Sequence, residues 1–144
     1  MNAKDNPLDR YFDAYAEAVL TKRADALAAL YHPQAVLFDA WDAWSGAGRT
    51  AVQTMAQNWF DSLGEDRVAV TFSQIQRTAG ADVAAASAFV TYTALTATGE
   101  PLRSQVNRIS VVLRREADEW LVVHEHTSVP VGFESKRAVA FPAA

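Results

Sequence analysis

Residues 48–77 read GRTAVQTMAQNWFDSLGEDRVAVTFSQIQR, and the spacing of their apolar side chains changes at Arg67. Before that point apolar residues recur three and four positions apart, as on one face of an α-helix: Val52, Met55, Ala56, Trp59, Phe60 and Leu63. Gly64 ends the predicted helix. From Arg67 onward the period is two, which predicts β-strands. The chain therefore passes from a helical half to a sheet within this segment.

Two further helices are predicted upstream. Residues 6–9, NPLD, combine an N-cap asparagine, a proline in the first turn and an acid near the positive end of the helix dipole. A second, short helix is predicted from about Ala24 to Tyr31, and Pro33 is expected to end it. A short apolar strand over residues 35–38 follows, and residues 41–48 are predicted to form a loop.

Four strand-like stretches follow Arg67, separated by turn signals, over about 67–77, 82–96, 102–115 and 119–129. Their alternation slips in phase, for instance between Phe72 and Ile75. A β-bulge, which bends a sheet, would produce such a slip. The stretch 82–96 is apolar or small on both faces, which predicts an internal strand covered on both sides.

This order of elements predicts one α+β domain over residues 1–144, with a core of about 6–130 and a tail over 131–144. Three N-terminal helices would pack on one face of a strongly curved, mixed or antiparallel sheet. Such a cone cannot close completely, so we expect an internal pocket at its open end.

The composition limits the classes of function. Half of the 144 residues are apolar and 21% are charged, as in ordinary globular proteins. The absence of cysteine excludes disulfides and thiolate catalysis. The sequence also has neither a membrane-spanning run nor a secretory signal. Together with the absence of cysteine, this predicts a cytoplasmic protein. The net charge of -4 argues against a nucleic-acid partner.

Three stretches carry a resemblance to a known superfamily. They are KRADAL (22–27) through HPQAV (32–36), Gly48 into the third helix, and EWLVVHEHTS (119–128). Over about residues 8–130 the sequence resembles the cone-shaped nuclear transport factor-like superfamily, and within it the SnoaL-like and ketosteroid-isomerase-like group. It is similar also to the association domain of calcium/calmodulin-dependent protein kinase.

The resemblance implies a cystatin-like α+β roll and two classes of function. One is an isomerase-, cyclase- or dehydratase-type enzyme that binds a small molecule and uses acid-base chemistry next to a carbonyl, without a metal or cofactor. The other is a non-catalytic oligomerisation or ligand-sensing module of the association-domain kind. A shared fold does not decide between them.

The resemblance also implies candidate catalytic residues. In ketosteroid isomerases a tyrosine of the first helix and an aspartate after the first strand fall on Tyr15 and Asp39. The aspartate moves a proton next to a carbonyl, and the tyrosine hydroxyl donates to the carbonyl oxygen. A protonated acid on the third long strand matches about Ser110, with Arg108 on the same strand face. Neither is an acid, which argues against ketosteroid isomerisation itself and favours a ligand with an anionic or carbonyl oxygen.

Each catalytic candidate has a structural alternative. Asp39 follows four apolar residues and precedes Trp41, surroundings that disfavour a charged carboxylate and suit a general base near neutrality, but it would equally cap a turn. Tyr15 also fits the buried face of an amphipathic helix. Arg108 either points into the cavity, as in SnoaL-like relatives, or protects an edge strand.

His124 and His126 share a strand face, which raises the possibility of a metal site. The resemblance instead turns Glu125 and Thr127 inward and places the histidines on the other face, bonded across a sheet or dimer interface. We therefore expect no metal. The outer face of the stretch 82–96 is apolar and helices cover only one face, which predicts a homodimer through the convex side of the sheet.

The remaining ligand-binding candidates are aromatic or polar residues assigned to the expected pocket: Trp41, Trp44, Trp59, Tyr92, Ser110, Glu125 and Thr127. Tryptophans there would form walls for a flat ligand. Trp59 also fits the core stripe of the third helix, and Trp41 and Trp44 fit a lid.

Overall fold

The computed structural model describes residues 6–142. Its three helices are α1 (Pro7–Leu20), α2 (Ala24–Ala28) and α3 (Gly48–Ser62). Its six strands are β1 (Tyr31–Phe38), β2 (Gly46–Ala47), β3 (Arg67–Ala79), β4 (Val83–Leu95), β5 (Pro101–Glu116) and β6 (Glu119–Ser128). They form one sheet in the order β2-β1-β6-β5-β4-β3. The β1–β6 pair is parallel and the other pairs are antiparallel. The predicted α+β class and mixed sheet are confirmed.

Helix α1 begins as its sequence predicted. The side-chain Oδ1 of Asn6 accepts a hydrogen bond from the backbone N–H of Leu8 at 2.9 Å, and Pro7 lies in the first turn. The helix buries one apolar face and packs it against β3 and β4. The ring of Phe12 lies 4.5 Å from that of Phe72, which fixes α1 across the concave face.

The second helix is shorter than the sequence predicted. α2 ends at Ala28, and Tyr31 is already the first residue of β1. The sheet begins here because the carbonyl oxygen of Leu30 accepts a hydrogen bond from the backbone N–H of Val122 in β6. Pro33 lies within β1, where the β1–β6 register is irregular, rather than just beyond a helix. A proline has no N–H for the ladder and is tolerated at such an irregularity.

The sheet is bent by β-bulges. In β3 the register shifts between Ser73 and Gln76, where Gln74 has a φ of 53°, and this confirms the predicted bulge. A second irregularity lies where β6 passes Val112 and Leu113 of β5. Bulges increase local twist, so the strands curl around the helices. β4 lies between β3 and β5, as predicted for an internal strand.

One hydrophobic core joins the helices to the concave face of the sheet. Side chains almost fully buried there come from all three helices and from β1, β4, β5 and β6: Leu8, Leu27, Tyr31, Val52, Val90, Val111 and Val122. On the convex face, the tail brings Phe141 edge-on to Phe89 at 5.7 Å. Within residues 6–142, no helix has the length and apolar character needed to cross a membrane.

Two glycines provide a matched test of how closely the start of α3 packs against β1. Gly48 and Gly64 both have positive φ, 87° and 59°. A Cβ at Gly48 would lie 2.7 Å from the Pro33 carbonyl oxygen, whereas one at Gly64 would meet no described atom within 4 Å. Alanine in the left-handed region costs about 1–2 kcal/mol. Gly64→Ala should lower the unfolding free energy by about that amount, and Gly48→Ala by about 1–3 kcal/mol more because of overpacking. Equal losses of unfolding free energy in urea melts would contradict the close packing of Gly48 against Pro33.

Candidate functional site

A cavity of about 750 Å³ lies between the helices and the concave face of the sheet. Its volume is within the range of small-molecule sites. Six of its lining residues are aromatic: Tyr15, Tyr31, Phe38, Trp41, Trp59 and Tyr92. Its ionisable lining residues other than tyrosine are all acids: Asp39, Asp42 and Glu125. Among the described residues, no lysine, arginine or histidine lines it.

Glu125 projects from β6 into this cavity. Its Oε1 accepts hydrogen bonds from the hydroxyl of Tyr11 on α1 and, at 2.8 Å, from that of Tyr31 on β1. Burial raises the pKa of Glu125, the two tyrosine hydrogen bonds oppose the rise, and the charge of Asp39 adds to it. The surroundings of Glu125 thus favour its neutral form more than water does.

Tyr15 and Tyr92 form a second polar pair. Their hydroxyl oxygens lie 2.9 Å apart. One hydroxyl donates to the other, which leaves one hydroxyl hydrogen for a ligand. Burial raises the pKa of both tyrosines, so both are neutral donors at neutral pH. Trp59 packs edge-on against Tyr92 at 5.8 Å. Tyr15 belongs to the core and to the cavity wall at once.

Asp39 lies where the chain leaves β1 at the rim of the cavity. Its Oδ1 accepts a hydrogen bond from the hydroxyl of Thr127 at 2.7 Å, and that hydroxyl accepts one from the backbone N–H of Ala40. The apolar enclosure expected around Asp39 is wrong. Phe38 and Trp41 are themselves exposed, because the chain leaves the sheet here, and Asp39 is exposed with them.

The structure does not bring Arg108 to this site. Its side chain lies on the convex face, where Nε donates to the Ser128 hydroxyl at 3.1 Å, beside the groove of about 370 Å³ under the tail. Ser110 is exposed on the same face. The prediction that these two residues face the cavity is wrong, because the inward residues of β5 are Asn107, Ile109 and Val111.

Asn107 is one of the polar lining residues that the sequence analysis missed; the others are Tyr31, Asp42, Asn58 and Gln105. It is 2% exposed, and its Oδ1 accepts a hydrogen bond from Nε2 of Gln105 at 3.0 Å. Asn107 lines the cavity. The available signal was an asparagine in phase with Ile109 and Val111, since a polar residue on a buried strand face often marks a site.

The other candidates are divided between cavity and surface. Trp41, Trp59, Tyr92, Glu125 and Thr127 line the cavity, whereas Trp44 does not and is 97% exposed. Its loop directs it into solvent, so its assignment to the pocket is wrong.

The two histidines lie on the outer face, as the resemblance implied. Nδ1–H of His124 donates to the carbonyl oxygen of Val36 at 2.8 Å, and the rings of His124 and His126 contact Phe38 edge-on. Over residues 6–142, no group of three histidine, cysteine, aspartate or glutamate side chains is arranged to hold a metal ion.

The raised pKa of Glu125 predicts a pH-dependent stability. The folded state binds this proton more tightly than the unfolded chain, so the associated stability is fully present below the ordinary glutamate pKa of about 4.3. It is lost as pH rises through the folded pKa of Glu125.

Glu125→Gln keeps the acceptor for both tyrosines but does not titrate. The unfolding free energy of the wild type should therefore fall relative to Glu125→Gln as pH rises above about 4.3. Urea melts across this range measure the difference, with exposed Glu65→Gln as control. A difference that grows in favour of the wild type would contradict the assignment.

The chain is similar in fold to several solved structures. An NTF2-like protein of unknown function from Pseudomonas putida KT2440 has a TM-score of 0.82 and 22% identity, covering 100% of this chain and 99% of that one. A Xanthomonas campestris structure named for the calcium/calmodulin-dependent protein kinase II association domain has a TM-score of 0.72 and 18% identity, covering 95% and 87%.

An NTF2-like protein with a cystatin-like fold from Novosphingobium aromaticivorans has a TM-score of 0.71 and 18% identity, covering 88% and 82%. No curated protein matches the chain. At these identities the structural likeness shows the fold. The family follows from the sequence: the model of the SnoaL-like domain matches residues 8–132. The chain therefore belongs to the SnoaL-like domain family.

Proposed function

We propose that this protein binds a small, neutral, largely apolar molecule with a carbonyl group, and catalyses proton transfer at the carbon beside that group. One observation carries the proposal. Asp39 and the Tyr15–Tyr92 pair open on the same cavity, so a base and a hydroxyl donor are available to one ligand. This is the combination that enolisation requires.

One oxygen of the Asp39 carboxylate is available to act as the general base. The Thr127 hydroxyl engages Oδ1, and no described residue hydrogen-bonds to Oδ2. In the proposed reaction, Oδ2 takes a proton from carbon. The electrons of the C–H bond form a carbon–carbon double bond, and those of the carbonyl π bond move to oxygen. The free hydroxyl hydrogen of the tyrosine pair then stabilises the negative charge on that oxygen. Return of the proton to another carbon would complete an isomerisation.

The lining favours a neutral ligand. An anionic oxygen was expected because Arg108 was assigned to the cavity, and that residue lies on the other face. The acidic side chains of Asp39 and Asp42 in the lining would repel an anion. The aromatic walls, including Trp41 and Trp59, suit a flat apolar body.

Hydrogen–deuterium exchange of 2-tetralone tests the catalytic proposal. This flat bicyclic ketone has exchangeable hydrogens beside its carbonyl, and proton NMR in D₂O follows their loss. Wild-type protein should accelerate the exchange. Asp39→Asn should bind the ketone and lose about 10²-fold or more of the acceleration, the size of a general-base contribution. Asp13→Asn, at an exposed position of α1, is the matched control. Exchange that is equally fast with Asp39→Asn would refute Asp39 as the base.

The second candidate function is a non-catalytic assembly or ligand-sensing module. The likeness to the Xanthomonas campestris association-domain structure supports it. Under this alternative, Asp39→Asn changes no reaction, and substitutions such as Tyr92→Phe inside the cavity alter the mass of the oligomer. Light scattering of these variants beside the exchange assay separates the two functions.

A homodimer through the convex face remains a prediction. Val36 on β1 and Val83 on β4 are 43% and 51% exposed. Association through this face would bury such side chains. Light scattering at micromolar concentration should give twice the chain mass of 15.7 kDa. A particle of 15.7 kDa would contradict the prediction.

A further inference from the structure

Asn107 of β5 is a buried amide of which only one end is paired. The residue is 2% exposed, and its Oδ1 accepts a hydrogen bond from Nε2 of Gln105 at 3.0 Å. Its Nδ2 carries two hydrogens, and no described residue accepts a hydrogen bond from either of them. Burying an N–H group without an acceptor is unfavourable. An unpaired Nδ2 in the wall of a cavity therefore indicates an acceptor that the chain itself does not supply.

Gln105 fixes which end of the Asn107 amide is the donor. The oxygen and nitrogen of a side-chain amide are told apart by their hydrogen-bond partners. Nε2 of Gln105 donates to the backbone carbonyl oxygen of Val106 at 3.3 Å, and a carbonyl oxygen only accepts. The same nitrogen faces Asn107, so the atom of Asn107 that it meets is the oxygen. Nδ2 therefore lies at the unpaired end of the amide.

The unpaired Nδ2 is open to the cavity. Among residues 6–142, every buried side-chain nitrogen or oxygen that is cut off from solvent has a hydrogen-bond partner, so Nδ2, which has none, reaches an open space. Asn107 borders both the cavity and the convex groove under the tail. Its neighbours Val106 and Arg108 line the groove, and side chains alternate along a strand, so the Asn107 side chain faces the cavity. Gln105, which bonds to it, lines the cavity as well.

The strand register places Asn107 between the two groups of the proposed reaction. Tyr92 on β4 and Thr127 on β6 are both diagonal cross-strand neighbours of Asn107, at about 7–8 Å. Tyr92 belongs to the hydroxyl pair, and Thr127 bonds to Asp39. A ketone with its oxygen at the tyrosine pair and its neighbouring carbon at Asp39 therefore lies across Asn107. The remainder of its skeleton is then the part that Nδ2 meets.

We propose that Asn107 selects the ligand, because its Nδ2 donates to a second oxygen of the ketone, other than the oxygen beside which the proton moves. The class of ligand is a flat ketone with a further acceptor oxygen, whether hydroxyl, ether or carbonyl. The identity of the first oxygen rests on the proposed function, whereas the bond from Asn107 needs no proton transfer. Asn107 moves no proton itself. A ketone without the second oxygen leaves the amide unpaired and binds more weakly.

Calorimetric titration with matched pairs of ketones tests this bond. Each pair is a methoxy-2-tetralone and the ethyl-2-tetralone substituted at the same carbon, which has a similar shape without the acceptor oxygen. Each free position of the aromatic ring supplies one pair. In at least one pair, the wild type should bind the methoxy ketone about threefold to tenfold more tightly, the equivalent of one hydrogen bond. Equal binding within every pair would overturn the proposal.

Two variants locate the donor. Asn107→Leu, which has a similar shape and no side-chain N–H, should bind both ketones of the preferred pair equally. Asn58→Leu removes the other asparagine of the cavity lining and should keep the wild-type preference. A purely structural role for Asn107 would weaken both ketones together and leave the ratio of their affinities unchanged. A preference for the methoxy ketone that survives in Asn107→Leu would therefore overturn the proposal.

Nitrogen-15 NMR of the wild-type protein tests the same bond without any substitution. A hydrogen bond deshields the hydrogen that forms it. The side-chain NH₂ hydrogens of Asn107 should therefore move downfield when the methoxy ketone of the preferred pair binds, and should move less with its ethyl partner. Equal shifts with both ketones would show that Nδ2 bonds to water alone and would overturn the proposal.

Hydrogen–deuterium exchange of the same ketones separates this proposal from the proposed function. A methoxy preference that depends on Asn107, without accelerated exchange, would support the ligand class and refute the proton transfer. Accelerated exchange together with equal binding within every pair would support the proton transfer and overturn the selection by Asn107. Failure of both measurements would refute both proposals.

Discussion

A buried carboxyl group at the centre of the cone constrains the arrangement of the elements around it. Burying such a group is unfavourable unless hydrogen bonds replace those it made to water. For Glu125 these come from Tyr11, 114 positions away in the chain, and from Tyr31, 94 positions away. Arg49 of α3 in turn donates to the backbone carbonyl of Tyr31. The carboxyl of β6 therefore fixes α1, β1 and α3 relative to one another, and those elements form the cavity.

The fold was predictable wherever one face of an element is uniformly apolar. The stripes of α1 and α3, and the long strands after Arg67, agree with the structure within a few residues, because burial of one face dictates a period of 3.6 or 2. The bulge of β3 was visible as a slip of that period. The end of α2 was not predictable in the same way. A backbone hydrogen bond from β6 to Leu30 decides it, and such a long-range contact leaves no local pattern.

The site was less predictable because β5 has apolar residues on both faces. Val106 and Val112 alternate with Arg108, while Ile109 and Val111 alternate with Asn107, so the pattern alone does not show which set faces the helices. A strand read one residue out of phase exchanges all its inward and outward side chains. Glu125 and Thr127 were placed correctly because the resemblance supplied the phase of β6. The bonding partners of Glu125 depend on tertiary packing and had no signal in the strand itself.

The Asp39 and Glu125 carboxyls of the cavity differ because of where they lie rather than because of their residue types. Asp39 lies at the rim, where water reaches it, and its Oδ1 accepts a hydrogen bond from the hydroxyl of Thr127. Glu125 is buried, and the hydroxyls of Tyr11 and Tyr31 both donate to its Oε1. Removing the tyrosine hydrogen bonds favours the neutral form still more, since both bonds stabilise the charge. The tyrosines therefore limit how far burial raises the pKa of Glu125.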